Sequence, residues 1–122
     1  VLAAPFQDNV LTTDPEMWEY MRRQVAAHPD LALGGPSLGW LGAALKECAA
    51  LSAMPAPATP ALTALGTAEK VVDVAPIHLR MAGWRNGRLD LYHGAEHEVP
   101  METSAHRSRF FDSAAALFSA KG

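Results

Sequence analysis

Three prolines fall within the seven residues Met54-Pro-Ala-Pro-Ala-Thr-Pro60. Each lacks an amide donor and holds φ near about −65°, so neither a helix nor a central strand passes through this segment. It reads as a stiff extended connector, and the 122-residue chain divides into two parts joined across it. Before the connector the periodicity is helical. After it, strands and helices alternate.

In the first part, Val1 to Ala4 is apolar throughout and suits a strand buried on both faces, ended by Pro5. A polar connection then closes on Thr12-Thr13-Asp14-Pro15-Glu16. Thr13 or Asp14 is a good N-cap, Pro15 fits the first helical position, and Glu16 favours the positive helix start. Met17, Trp18, Met21 and Val25 recur at helical spacing while Glu19, Arg22 and Arg23 turn away, and His28-Pro29-Asp30 stops the helix. Gly34-Gly35-Pro36-Ser37 forms a turn with a strong N-cap. The helix that follows is expected to bury Leu38, Leu41, Leu45, Cys48 and Leu51 on one stripe, with Trp40 near its edge.

In the second part, Ala61 to Leu65 reads as a strand ended by Gly66, with a loop at Thr67–Lys70. Asp73 is placed to cap a helix from Val74 to about Trp84, whose apolar positions are Ile77, Met81 and Trp84. Asn86-Gly87 is the strongest short turn signal in the chain. It leads into a strand at Arg88–His93, with Leu89 and Leu91 on the apolar face and Asp90 and Tyr92 on the other. A last helix, from about Ser104 to Ala120, presents Phe110, Phe111, Ala114, Leu117 and Phe118 as its buried face. Strand, helix, strand, helix at this spacing predicts an α/β fold, a parallel sheet with crossover helices.

The residues with chemical potential lie where those strands end. Glu69 sits in the loop after the first strand, and His97 follows the glycine break at Gly94 after the second. Neighbouring parallel strands bring such loops within hydrogen-bond reach, so a carboxylate there can orient an imidazole and stabilise its charged form. Taken singly, each is better explained as a solvated loop residue; together, the acid-then-histidine order at matching strand ends favours chemistry. Asp73, four residues on, is the rival acid. Glu98 and Glu102 either support the histidine loop or carry surface charge. His93 and His97 with Glu96 and Glu98 make a poor metal site, because Gly94 interrupts the helix that such a pair needs. His28, His78 and His106 read as one loop residue and two helix-surface residues. No metal and no cofactor is expected.

Composition narrows the classes further. The chain is 49% hydrophobic and 19% charged with a formal net charge of −3, which argues against nucleic acid as a partner. Cys48 is the only cysteine, so no intrachain disulfide forms. No apolar run reaches the ~18 residues of a transmembrane span. A basic leader ahead of a longer apolar core is also missing, so a cytoplasmic location is expected. The chain starts directly in an apolar run without an initiator Met, and reads as a piece of something longer.

Leu65-Gly-Thr-Ala-Glu-Lys-Val-Val-Asp73 and Gly94-Ala-Glu-His-Glu98 resemble the acid and histidine loops of α/β-hydrolases. Asn9-Val-Leu-Thr-Thr-Asp-Pro15 and His28-Pro-Asp-Leu-Ala-Leu-Gly-Gly-Pro-Ser-Leu-Gly-Trp40 resemble the lid of bacterial lysophospholipases of the monoacylglycerol-lipase-like group. The resemblance spans essentially the whole chain but only the later part of a complete hydrolase. It implies a core strand over residues 1–6, a helical lid over 7–57 and the C-terminal part of the hydrolase core over 58–122. It further implies a serine hydrolase acting on lipid esters, with Glu69 as triad acid, His97 as base, and Trp18, Met21 and Trp40 lining an acyl-chain pocket; at helical spacing, core packing explains those three as well. Transient contact with a membrane surface fits such a substrate. The family usually carries Asp where Glu69 stands, and a longer lid than the residues Phe6 to Asp8 leave room for.

The nucleophile of such an enzyme sits on a G-x-S-x-G turn between strand and helix. Gly35-Pro36-Ser37-Leu38-Gly39 is the one formal match. Pro36 would remove an amide and fix φ where the turn needs strain, and Ser37 is well explained as an N-cap. The nucleophile is therefore expected outside this chain, in the missing N-terminal part of the same hydrolase. A non-catalytic α/β domain that binds a ligand or partner through its Trp- and Met-rich helices is the reading from a different class.

Overall fold

The computed structural model describes residues 5–120, and the strand expected over Val1–Ala4 lies outside them. The first helix, α1 (Pro15–Ala27), opens on Asp14, whose carboxylate accepts the amides of Glu16 and Met17. Pro15 sits in the first turn, where a missing N–H leaves nothing unsatisfied. Trp18 is the buried anchor of α1, 3% exposed and packed against Phe6 with 6.3 Å between ring centroids. Met17, Met21 and Val25 are half-buried beside it.

The second helix, α2 (Leu38–Ala53), opens on Ser37, whose hydroxyl accepts the Trp40 amide at 3.1 Å. No residue of α2 is buried, and Leu38 is 88% exposed. The stripe expected to be core, Leu38 to Leu51 with Cys48, therefore faces solvent. The helix is apolar almost all round, so spacing could not single out an inward face, and no described element lies along it closely enough to cover one.

The strands β1 (Ala61–Gly66) and β2 (Gly87–Tyr92) pair in parallel, in register from Ala61 opposite Gly87 to Gly66 opposite Tyr92. Helix α3 (Ala75–Ala82) is the crossover between them, shorter than expected because Val74 is its N-cap and Gly83 its C-cap. Trp84 lies beyond the helix, and its indole N–H donates to Thr59 O at 2.9 Å. With Asn86 Nδ2 donating to Ala58 O at 2.7 Å, this pins the proline-rich connector beside the strand entrance. The described residues form a mixed α/β structure.

Helix α4 (Ser104–Ser119) covers one sheet face, where Tyr92, Ala95 and Val99 form a small core joined by Ala64 and Phe110. Of the two faces that alternation gives β2, the one carrying Tyr92 is the one that meets α4. Tyr92 is fully buried and Leu91 is largely exposed, because the broad Tyr92 ring carries more area into the core. Its ring packs edge-on to His106 at 5.7 Å and lies under the Arg109 guanidinium at 4.3 Å. Phe111 and Phe118 of α4, expected inside, are exposed; only Phe110, Ala114 and Leu117 of the expected set turn inward. Among the described residues no helix is long and apolar enough to cross a membrane.

Candidate active site

Both strands end on a glycine-dependent turn, and the two turns are tied to each other. After β2, the Ala95 amide closes on Tyr92 O at 3.2 Å, with Gly94 between them at φ 75°, a conformation that favours glycine. After β1, the amides of Thr67 and Ala68 donate to Tyr92 O at 3.0 Å and Ala95 O at 2.9 Å, and the Gly94 amide donates to Thr67 Oγ1 at 2.8 Å. Gly66 makes this approach possible. A Cβ there would collide with the carbonyl oxygens of Ala95 and Glu96. The sequence places a glycine at the end of β1, and the structure shows that the histidine loop occupies the space a side chain would need.

These ties bring Glu69 and His97 together. Glu69 Oε2 lies 2.7 Å from His97 Nδ1. The Glu69 side chain is 4% exposed and that of His97 30%. Glu69 Oε1 accepts the amides of Val71 and of Val72, the latter at 3.2 Å. Burial alone would raise the Glu69 pKa. The His97 hydrogen bond and the two amides outweigh it, so the carboxyl is held below its ordinary value and stays ionised near neutral pH. An ionised carboxylate accepts only, so His97 Nδ1 carries a proton toward it and the basic lone pair of the neutral ring is on Nε2. Among the described residues Nε2 makes no hydrogen bond.

The histidine loop is held from its other side by the segment that leads into α1. His97 N donates to Val10 O at 3.4 Å and Glu98 N to Leu11 O at 2.8 Å. Asn9 shapes that segment, its Oδ1 accepting the amides of Leu11 and Thr12. Thr12 is fully buried, and its hydroxyl donates to Met101 O at 2.7 Å. Glu102, also fully buried, accepts four hydrogen bonds: Thr13 N at 3.0 Å and Glu96 N at 2.9 Å on Oε1, Thr13 Oγ1 at 2.6 Å and Thr103 N at 3.2 Å on Oε2. Burial pushes its pKa up, but the Glu96 amide, the Thr13 hydroxyl and amide and the Thr103 amide outweigh that and hold it low. Lys70 adds a link across the two loops, its Nζ 3.3 Å from Glu96 Oε1.

The other candidate residues are placed elsewhere. Asp73 is exposed, and its carboxylate accepts the Ala75 amide at 3.0 Å at the start of α3. Ser37 is exposed and acts as the cap of α2, with no strand ahead of it among the described residues. Trp18 packs on Phe6, Met21 is half-buried beside it, and Trp40 is 62% exposed on α2. Glu98 is half-buried and His93 exposed, while His106 Nε2 meets His93 O at 3.1 Å. Among the described residues no group of three or more His, Cys, Asp or Glu side chains is arranged to hold a metal ion. Sequence reasoning left Glu102 balanced between loop support and surface charge, offered Thr13 only as an alternative N-cap to Asp14, and gave Thr12 no role of its own. Their partners lie 89 residues away along the chain, which no local spacing signals. Comparison with family models, with characterised proteins and with solved structures finds no match.

Proposed function

We propose that this chain carries the acid and the base of a serine ester hydrolase of the α/β-hydrolase type, acting on lipid esters of the lysophospholipase or monoacylglycerol class. The observation that carries the reading is the 2.7 Å contact between a buried, ionised Glu69 and His97 Nδ1, at the C-terminal ends of two parallel strands. In this reading Nε2 takes the proton of a serine as its oxygen attacks the ester carbonyl, and then gives that proton to the departing alcohol. The same nitrogen next takes a proton from water, whose oxygen displaces the acyl group from the serine, and the proton returns to the serine oxygen. Glu69 holds the ring in the Nδ1–H tautomer and stabilises the imidazolium that forms twice in the cycle. The serine is contributed from outside the described residues, since Ser37 caps a solvent-exposed helix. The lipid substrate rests on the lid-like stretches Asn9–Pro15 and His28–Trp40.

The test is hydrolysis of a monoacylglycerol and a lysophospholipid by the full-length protein and its His97→Ala variant. Turnover that falls by about 10²–10⁴-fold or more in the variant is expected, the span of a lost general base. Wild-type turnover in a folded His97→Ala protein would sink the reading. The competing role, a non-catalytic domain that binds through its apolar helices, draws on the exposed Trp40 and leucines of α2. It predicts binding of such lipids without turnover.

A further inference from the structure

Glu102 is a carboxylate with no exposed surface, and none of its hydrogen bonds reaches the Glu69–His97 pair. All of its acceptor capacity is spent on four donors from three places in the chain: the lead-in to α1 (Thr13), the histidine loop (Glu96) and the lead-in to α4 (Thr103). The Glu96 amide belongs to the peptide adjoining Ala95, whose carbonyl is fixed by the Ala68 amide, and Glu96 is the residue directly before His97. The carboxylate therefore clamps the chain one residue from the imidazole and ties that point to α1. The Thr12 hydroxyl on Met101 O and the Glu98 amide on Leu11 O run beside it as a second and third stitch between the same two segments. The charged groups nearby are engaged on their own account. Arg107 donates to the Glu102 main-chain oxygen at 2.8 Å and lies 3.9 Å from Asp14, and Glu96 turns its own carboxylate to Lys70.

A buried carboxylate satisfied only by neutral donors is an expensive way to hold a turn, since an unfilled acceptor there has no water to fall back on. What a carboxylate gives that a neutral side chain does not is acceptor sites on both oxygens, with no donor to misplace. We propose that Glu102 is the positioning residue of His97: through the Glu96 amide it fixes the ring against Glu69, and through Thr13 it makes the imidazole and helix α1 one mechanical unit. The inference rests on reading Glu69 and His97 as an acid–base pair, but its test does not depend on catalysis.

Glu102→Gln keeps volume and reach but turns one acceptor oxygen into an NH₂ group, which meets an N–H donor whichever way the amide lies. Glu102→Ala removes the clamp altogether. In ¹⁵N-labelled protein, ring-nitrogen shifts of neutral His97 report the ratio of Nδ1–H to Nε2–H tautomers, and amide hydrogen exchange reports the loop itself. The wild-type chain is expected to hold the Nδ1–H form. Glu102→Gln, with its fold intact, is expected to move the tautomer ratio about tenfold toward the Nε2–H form and to speed exchange of the Glu96 and His97 amides by a similar factor, the scale of one charge-assisted hydrogen bond. Glu102→Ala should exceed it where it folds. A Glu102→Gln protein that melts lower yet keeps the wild-type tautomer ratio and wild-type exchange at both amides overturns the proposal, leaving a carboxylate that only stabilises. A wild-type ratio already in favour of Nε2–H would count against the Glu69–His97 pair instead, and the amide exchange would still decide whether Glu102 holds the loop.

Discussion

A carboxylate that is almost wholly buried and still ionised must be surrounded by donors, and Glu69 is: two backbone amides on one oxygen and an imidazole on the other. Its neighbour Asp73 has one amide and open solvent. On the proposed hydrolase reading, the two acids should therefore separate cleanly under mutation in the full-length protein. Glu69→Gln is expected to lower kcat by about 10³–10⁴-fold, since an amide cannot stabilise the imidazolium and selects the wrong tautomer. Asp73→Ala should cost about 1 kcal/mol of stability, from one helix-start hydrogen bond, and leave kcat nearly unchanged. Rates measured beside melting temperatures decide it, and the reverse pattern would move the acid to Asp73. The pH response follows from the same donors. Glu69 and Glu102 both have folded pKa values below their ordinary ones, so the unfolded chain binds more protons in acid. Their contribution to stability is fully present above the unfolded glutamate value of about 4.3 and is lost as pH falls through the lower folded values. Urea midpoints should hold level from neutral pH to about pH 5 and then fall, and Glu102→Gln should flatten that acid limb. A midpoint that stays constant down to pH 3 would contradict the burial and bonding of both groups.

At the scale of elements, the strand–turn–strand end of the molecule is specified by a close approach of backbones. Gly66→Ala forces its Cβ into the Ala95 and Glu96 carbonyls, which are backbone and cannot swing aside. It should cost roughly 1–3 kcal/mol, as overpacking does, and pull His97 away from Glu69. Equal melting temperatures and equal His97 ring-nitrogen shifts in the two proteins would show that the loop has another way to sit. The same elements show what a sequence can tell. The strands, their parallel pairing and the caps Asp14 and Ser37 were legible, because alternation, turn chemistry and N-cap preference act over a few residues. The meeting of Glu69 and His97 was legible from their matching strand ends. Inward faces were not. Alternation separated Leu91 from Tyr92 without saying that Tyr92 is the one buried, and the leucines of α2 stayed outside, because burial depends on what packs opposite and periodicity says nothing of that. Trp18 and Trp40 make the contrast measurable. Trp18→Ala should cost about 3–5 kcal/mol, the usual scale for emptying a buried aromatic site. Trp40→Ala should change stability by less than about 0.5 kcal/mol. Comparable losses for the two would mean that α2 is covered after all.

For the whole molecule, stability concentrates where distant segments are stitched together, around Thr12, Thr13, Glu102 and the loop that carries His97. A two-stranded sheet is too small to be stable without packing, and here α4 and the Tyr92 core support it on one face. Helix α2 has no such support. It is 16 residues long with no buried side chain, close to the length at which an isolated helix is only marginal in water. Its opening free energy should lie near zero, while that of the Tyr92–Ala95–Glu102 region should approach the global value. Amide hydrogen exchange of the chain in dilute buffer is therefore expected to show the weakest protection across Leu38–Ala53, and the strongest at Tyr92, Ala95 and Glu96. Limited proteolysis should cut first between Ala32 and Met54 and leave the α1 lead-in bound to the histidine loop through its stitches, as peptides that copurify after the cut. Protection of α2 equal to that of β2 would show that something covers its leucines, and separation of the pieces on cutting would show that the stitches around Glu102 are too weak to hold the two parts of the chain together.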